Sequence, residues 1–536
     1  MKLQSFFLIS FDPREASISS IQHAIFTGAT SCRSVVSAHL SRALALNNHT
    51  NALIALFPDA LDRADELDDV LAAGNATTGL HLFCVPLVLK DNFDFPPLPT
   101  TGGSRELTDS YPAEPAPVAA ALADAGAVML AKANLHELAL EGLSVSGLGG
   151  QTVNPYDSTR TPGGSSGGTG AAVAASFAIA GTGTDTVNSL RNPAASCNLV
   201  SFRPTRGLLT RAGVLPVSYT QDTVGMIARN LEDLALLLSV MAEVGYDAAD
   251  NVTALAPAWA RADTDYASGI KTGSLEGKRL GLVQGFFNRT EGPETDPVND
   301  VFDELIPLLE SEGATIVNIT EDVYNSSAIS SALDTQRYEF RQVLTEYLSS
   351  DELSGDHPTS AEDFYDSGEF LVIPSEYEYV NTALVSSTSN ATYPDVQYGI
   401  YNLTLALKET FAANELDAFI YPEQKNLVVP IGSPSQSGRN GILAALTGSP
   451  VVVVRAGFSP PTDTAPIGVP VGMEILGMPW AEPELLKIAY QVDLAVKGRR
   501  APEWARQEVE VMTFEDGIPD IYVNDTIPPE YSIGEL

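Results

Sequence analysis

A chain of 536 residues with 44% hydrophobic and 18% charged side chains has the material for a large buried core, and its low charge argues against intrinsic disorder. A formal net charge of −38 repels phosphate backbones and anionic headgroups, which argues against nucleic acid and membrane surfaces as partners and leaves the acid excess a solubilising role. Three cysteines, Cys32, Cys84 and Cys197, are too few and too scattered for a disulfide framework or a thiolate zinc site, although they allow one bridge and one free thiol.

Residues 1–15 read as a short, incomplete signal segment: Met1-Lys2 precedes the apolar run Leu3 to Ile9, which Asp12, Arg14 and Glu15 cut short. From about 15 to 75 the chain reads as helical, with Val35, Val36, Leu40, Leu44 and Leu46 near helical period. Leu82 to Leu89 is a continuous apolar run, the pattern of a strand buried on both faces, and it ends on Lys90. Val118 to Ala125 reads as a helix stopped by Gly126, and Ala127 to Leu130 as the next strand. A Gly/Ser loop, Thr161 to Gly170, leads into an Ala-rich helix over 171–180, and Gly181 to Arg191 reads as a second small-residue loop.

Around Tyr338 to Leu348, apolar Phe340, Val343, Leu344, Tyr347 and Leu348 form one helical stripe, with Glu339, Arg341 and Glu346 facing away. Ala418 to Ile420, Val451 to Val454 and Gly472 to Leu476 read as further strands, so one sheet draws on both ends of the chain. The expected fold is α/β: a single domain over 16–499 with a large mixed, twisted sheet covered by helices on both faces, followed by an acidic, Pro-containing tail over 500–536 that wraps the surface or frays. No Pro/Gly/Ser-rich linker divides it.

No uninterrupted apolar stretch reaches the roughly 18 to 20 residues of a membrane span. N-x-[ST] sequons stand at Asn48, Asn75, Asn251, Asn288, Asn318, Asn325, Asn390, Asn402 and Asn524. Their number and the signal-like start point to a secreted glycoprotein; the alternative is a Thr-rich surface on a cytoplasmic protein. The oligomeric state leaves no trace in the sequence.

Three chemistries compete for the segment Thr161 to Gly170. A phosphate-binding loop fails because no Gly-Lys-Ser/Thr closes it and no clean G-x-G-x-x-G lies between strand and helix. Gly163-Gly164-Ser165-Ser166-Gly167 satisfies G-x-S-x-G, but an α/β-hydrolase elbow needs a late histidine and only His357 follows, in a polar stretch. A serine hydrolase without histidine takes its base elsewhere, and a lysine desolvated at the end of a buried strand, as Lys90 is placed, serves.

At this point the chain resembles the amidase signature family. The resemblance rests on Val85 to Asn92, on Gly163 to Gly168, and on Gly183-Thr184-Asp185 followed by Ser189-Leu190-Arg191 and Pro193-Ala194, in family order and spacing, with echoes at Lys132-Ala133-Asn134, Arg203-Pro204-Thr205, Asp222 and Gly472 to Leu486. It implies an amidohydrolase that needs no metal or organic cofactor, acting on a small-molecule amide. By that resemblance Ser189 is the nucleophile, Ser165 the bridging serine on a cis peptide, and Lys90 the base. The backbone N–H groups of Thr186, Val187, Asn188 and Ser189 form the oxyanion hole, worth about 3 to 4 kcal/mol per donor. Ser166 supports the relay, and Asp185 and Arg191 pair to hold the loop. One departure stands out: the family carries Gly-Gly directly before the nucleophile, and here Val187-Asn188 occupies those positions. If either needed positive φ, valine would be strained.

Two other classes compete with hydrolysis: an amidotransferase-type subunit delivering ammonia within a complex, and a catalytically degenerate binding protein. A zinc reading of His136-Glu137 fails because Leu140 stands where H-E-x-x-H needs its second histidine, which leaves His136 a helix-surface residue. With 68 acidic residues, a glycosidase-type carboxylate pair carries no weight.

Overall fold

A computed structural model of the chain describes residues 11–74, 77, 79–260 and 264–536. Asn75 and most of the signal-like segment lie outside the described residues.

Among the described residues, one sheet of eleven strands forms the body: β1 Leu53–Leu56, β2 Val85–Lys90, β3 Ala127–Ala133, β4 Ala180–Asp185, β5 Val200–Arg203, β6 Thr223–Ala228, β7 Arg279–Val283, β8 Thr315–Ile319, β9 Ala418–Pro422, β10 Val451–Phe458 and β11 Pro470–Leu476. Their spatial order is β1-β3-β2-β4-β6-β5-β10-β11-β9-β7-β8. β3, β2 and β4 run parallel, as do β9, β7 and β8; the remaining pairs are antiparallel, so the sheet is mixed. Every residue of β2, β3, β4, β5, β6, β9 and β11 is buried. Successive side chains point to opposite faces, so burial of all of them means that both faces are covered. Helices Gly167–Ala174, Leu231–Ala242 and Glu482–Val496 pack on β4, β6 and β10 respectively. Edge strands β1 and β8 keep partly exposed residues.

The N-terminal region departs from an all-helical reading. Helices Ile18–Phe26, Cys32–Leu46 and Ala60–Ala72 are interrupted by β1, a four-residue edge strand too short to show a period of its own. The expected Ala-rich helix starts earlier and ends at Ala174, and the small-residue stretch after it is the central strand β4 rather than a loop. The reason is spatial: a Cβ on Gly181 would come within 2.5 Å of Val88 Cγ2 and 2.6 Å of Thr169 Cγ2, so only glycine lets β4 pack between β2 and that helix. Glu339 does not face solvent. It is fully buried in helix Gln336–Leu348, where it accepts from Ser218, Thr220, Thr335 and Tyr393, a role that helical periodicity does not reveal.

Cys32, at the start of its helix, is disulfide-bonded to Cys84, immediately before β2, and Cys197 is free and buried. Residues 500–536 lie along the body, burying Ala505, Phe514, Ile521 and Tyr531. Among the described residues no helix is long and apolar enough to cross a membrane. Of the described sequon asparagines none is buried; Asn288 and Asn390 are half-buried and the others exposed.

Candidate active site

Parallel pairing of β2 with β4 brings the C-terminal end of one strand beside the other, and the three sequence motifs converge there. Lys90 is completely buried. Its Nζ lies 2.7 Å from Ser165 Oγ and 2.7 Å from Thr184 Oγ1, in hydrogen bonds to both, and its backbone amide donates to Thr182 Oγ1 at 3.0 Å. Asn92 Nδ2 donates to the same Thr184 hydroxyl at 3.1 Å. Among the described residues Lys90 makes no ion pair. Burial pushes its pKa down to about 7, against the opposing pull of Asp185 and Asp222.

The Gly164–Ser165 peptide is cis. Ser165 O accepts the amide of His136 at 3.1 Å, while Ser166 sends its hydroxyl to Thr184 O at 3.4 Å and its amide to Ser189 O at 3.3 Å. That last bond joins the Ser165 loop to the Ser189 loop. The hydroxyl of Ser189 itself makes no hydrogen bond among the described residues, and Ser189, 7% exposed, is the only one of the three relay candidates that reaches solvent. The Lys90–Ser165 link is therefore made and the Ser165–Ser189 hydroxyl link is not. A serine hydroxyl turns among three staggered wells, and catalytic hydrogen bonds are often loose without substrate.

The segment between β4 and helix Arg191–Ser196 is held by a buried ion cluster. Arg191 grips Asp185 with two bonds of 3.0 Å, reaches Glu474 Oε2 at 2.7 Å, and donates to Gly441 O at 3.0 Å and to Val187 O. Arg203 adds a bond to Asp185 Oδ1 at 2.7 Å. Burial alone would raise the Asp185 carboxyl, but Arg191 and Arg203 reverse that and hold it at about 2. Thr186 Oγ1 donates to Asp222 Oδ1 at 2.6 Å, and the other Asp222 oxygen takes the amides of Val217 and Ser218 at 2.7 and 2.8 Å. The amides of Thr186, Val187, Asn188 and Ser189 donate to no acceptor among the described residues. Neither Val187 nor Asn188 has positive φ, so the strain anticipated at a β-branched residue does not arise.

His136 is not on a helix surface. It is buried, with Nε2 3.5 Å from Glu376 Oε2, because the segment before the turn Glu137–Ala139 is covered by residues from 370 onward. Among the described residues no group of three or more His, Cys, Asp or Glu is arranged to hold a metal.

Several participants escaped the sequence reading. Thr184 and Asn92 sit inside quoted motifs, yet nothing in their spacing marks them as partners of Lys90. Glu423 and Glu474, at the far end of the chain, stand as lone carboxylates in or beside apolar strands, and a charge in such a run is the signal for a buried partner. Glu423 accepts from Asn188 Nδ2 and Asn192 Nδ2, each at 2.8 Å.

A cleft of about 630 Å³ ends against Thr184 and Thr186; Ser189 is not part of its wall. Apolar Val214, Leu215, Val217 and Val343 line it, together with six carboxylates and a single arginine, Arg211, which is bound in two contacts to Asp250. Of the aromatic residues between 338 and 377, Phe364, Tyr365 and Phe370 pack into a core with Leu107, Leu138 and Phe340, while Tyr347 faces the cleft, as does Tyr219 from an earlier segment.

A lysine buried against a serine, beside a loop of free amides carrying a second serine, is the set of groups that a serine hydrolase without histidine would need. Comparison with known proteins narrows the class. The amidase family profile matches residues 34–486. The chain is 32% identical to a glutamyl-tRNA(Gln) amidotransferase subunit from Alkalilimnicola ehrlichii, over 92% of its own length and 98% of the relative's. Among solved structures it is similar to the native peptide amidase of Stenotrophomonas maltophilia, with a TM-score of 0.78, 31% identity, and 91% and 99% of the two chains covered. An amidase family protein from Bacillus anthracis superposes with a TM-score of 0.77 at 26% identity, covering 91% and 92%. The chain belongs to the amidase signature family, hydrolases that act on amide C–N bonds.

Proposed function

We propose that this protein hydrolyses a small carboxylic amide to the acid and ammonia or an amine, with Ser189 as nucleophile, Ser165 as relay and Lys90 as base. Ser189 Oγ attacks the carbonyl carbon, its proton passes to Ser165, and the Ser165 proton passes to neutral Lys90. The oxyanion that forms is held by the free amides of the 186–189 segment. The proton then returns through Ser165 to the leaving nitrogen, the C–N bond breaks, and water releases the acyl group from Ser189 by the same route. The observation that carries this reading is the contact of a fully buried lysine, without an ion pair among the described residues, with Ser165 at 2.7 Å. Peptide amides enter as candidate substrates through the named peptide amidase, and if the acidic cleft beside Thr184 and Thr186 receives the substrate it disfavours anionic ones.

Incubating folded protein with a fluorophosphonate and locating the adduct tests the proposal. An adduct on Ser189 that disappears in Ser189→Ala is expected. An unlabelled Ser189 in folded protein sinks the enzyme reading and leaves the degenerate binding protein.

The amidotransferase reading, in which the chain delivers ammonia within a complex, is favoured by the names of the curated relatives. Against it stand the Cys32–Cys84 disulfide and the unburied sequons, which fit a secreted glycoprotein. Peptide-glycosidase treatment of native protein should shift its mobility on a gel; an unshifted band removes the secretory reading.

A further inference from the structure

Asn188 stands immediately before Ser189, where the family it resembles carries glycine, and its side chain is fully buried. A buried carboxamide needs partners, and Asn188 Nδ2 finds one in Glu423 Oε1 at 2.8 Å. The second carboxylate oxygen of Glu423 accepts from Asn192 Nδ2 at 2.8 Å. Asn192 in turn accepts, through Oδ1, the amide of Gly164 at 3.0 Å, one residue before Ser165. One carboxylate thus joins the loop of Ser189 to the loop of Ser165.

The carboxylate is itself fixed. Glu423 follows the last residue of β9, its amide donates to Gly472 O at 3.1 Å, and its carbonyl accepts from Asn440 at 3.1 Å. It makes no ion pair among the described residues, so its two direct side-chain partners are neutral carboxamides. The neighbourhood is cut to admit the asparagine: a Cβ on Gly441 would lie 2.3 Å from Val187 O and 2.5 Å from Asn188 Cβ. Burial, with Glu474 nearby, pushes the Glu423 carboxyl up to about 7, which fits a group held without a cation of its own.

We infer that Glu423 is a positioning residue for the reaction, holding Ser189 and Ser165 in register through Asn188 and Asn192. This rests on the assignment of those two serines to the relay, and the parent enzyme alone tests that assignment. The inference concerns only the ratio of variant to parent.

Glu423→Gln keeps size and shape but turns an N–H group towards one of the two asparagine donors. Asn188→Ala breaks one link and leaves Glu423 in place. Turnover is measured per Ser189 titrated with fluorophosphonate, so that a loss of folded protein does not register. Each variant should lose about tenfold or more in kcat per titrated site, with KM changed far less, and the two losses should add incompletely in the double variant because both act through the one Glu423 carboxylate. The rising limb of the pH profile near 7 should remain in Glu423→Gln. A kcat per site within twofold of the parent in either variant overturns the inference. So does loss of the limb in Glu423→Gln, which would make Glu423 the titrating base.

Discussion

Replacing Lys90 with methionine separates activity from stability in opposite directions. Lysine ordinarily titrates at 10.5, and burial brings Lys90 to about 7. That difference corresponds to about 5 kcal/mol of differential interaction between its two protonation states. Below pH 7 the side chain is protonated in both folded and unfolded chains, and the folded protein bears this whole penalty. Between 7 and 10.5 the unfolded chain binds the proton and the folded one does not, so stability rises with pH; above 10.5 the penalty is gone. Methionine removes it. The variant leaves Ser165 and Thr184 short of a partner, a cost of about 1 to 3 kcal/mol, softened because Thr184 still takes Asn92.

Lys90→Met should therefore be devoid of turnover and, at pH 6, more stable than the parent by about 2 kcal/mol. That advantage should vanish by pH 10. Urea unfolding of the oxidised protein at pH 6, 8 and 10, alongside hydrolysis of a simple amide, measures both. Retained turnover, or a stability gap indifferent to pH, would refute the reasoning. In the parent, kcat/KM should climb through about pH 7 as Lys90 loses its proton.

Asp185→Asn leaves Arg191 and Arg203 buried beside a neutral group, and should cost about 3 to 5 kcal/mol in urea unfolding at pH 7 together with most turnover. Because the Asp185 carboxyl is held at about 2, its stabilising contribution in the parent should persist as the pH falls to about 4 and disappear only towards 2, a window readable by acid titration of the near-UV circular dichroism. Reducing Cys32–Cys84, or replacing both with serine, reopens a loop of 52 residues' separation and should lower stability by about 4 kcal/mol on the chain-entropy model, while kcat near neutral pH changes little in protein that remains folded. Among matched primary amides, those bearing a carboxylate on the acyl chain should show kcat/KM at least tenfold below their neutral counterparts, a gap narrowed by salt, if the acidic cleft receives the substrate.

The legible parts of the molecule were those whose physics is local. A run such as Leu82 to Leu89 can hardly be anything but a buried element, and its terminal lysine, with Gly163 to Gly168 and Gly183 to Arg191, carried the resemblance that pointed to the candidate site. What escaped was decided by packing across the chain. Gly181 and Gly183 look like a loop until Val88, Thr169, Leu190 and Ser166 are seen to occupy the space that side chains would need. Glu339 has the right helical phase for solvent, yet the 218–220 segment and Tyr393 close over it with hydroxyl donors. His136, beside Glu137, has the look of a surface residue and is buried by a segment far along the chain that includes Leu371 and Glu376. Glu423 and Glu474 become meaningful only when β9 and β11 pair and bring them to Arg191 and Asn188.

The departure at Val187-Asn188 changes meaning in the same way. Read along the chain, it removes two glycines from the place where backbone freedom matters most, and it suggests a disabled enzyme. In three dimensions the backbone there uses no conformation reserved for glycine, and the four amides of the segment remain without acceptors among the described residues. An oxyanion hole requires donors and not small side chains, so the substitution leaves its chemistry available. What the side chains add is attachment: Asn188 to Glu423, Val187 to the apolar cluster around Phe286 and Leu443, and both under the missing side chain of Gly441. The Asn188 amide nitrogen has a buried acceptor and its Cβ a gap beside Gly441, while its Oδ1 is buried without a partner among the described residues. If the inference at Glu423 holds, this loop takes its rigidity from a side-chain clamp rather than from its backbone, and the loss of kcat in Asn188→Ala measures how far turnover depends on it.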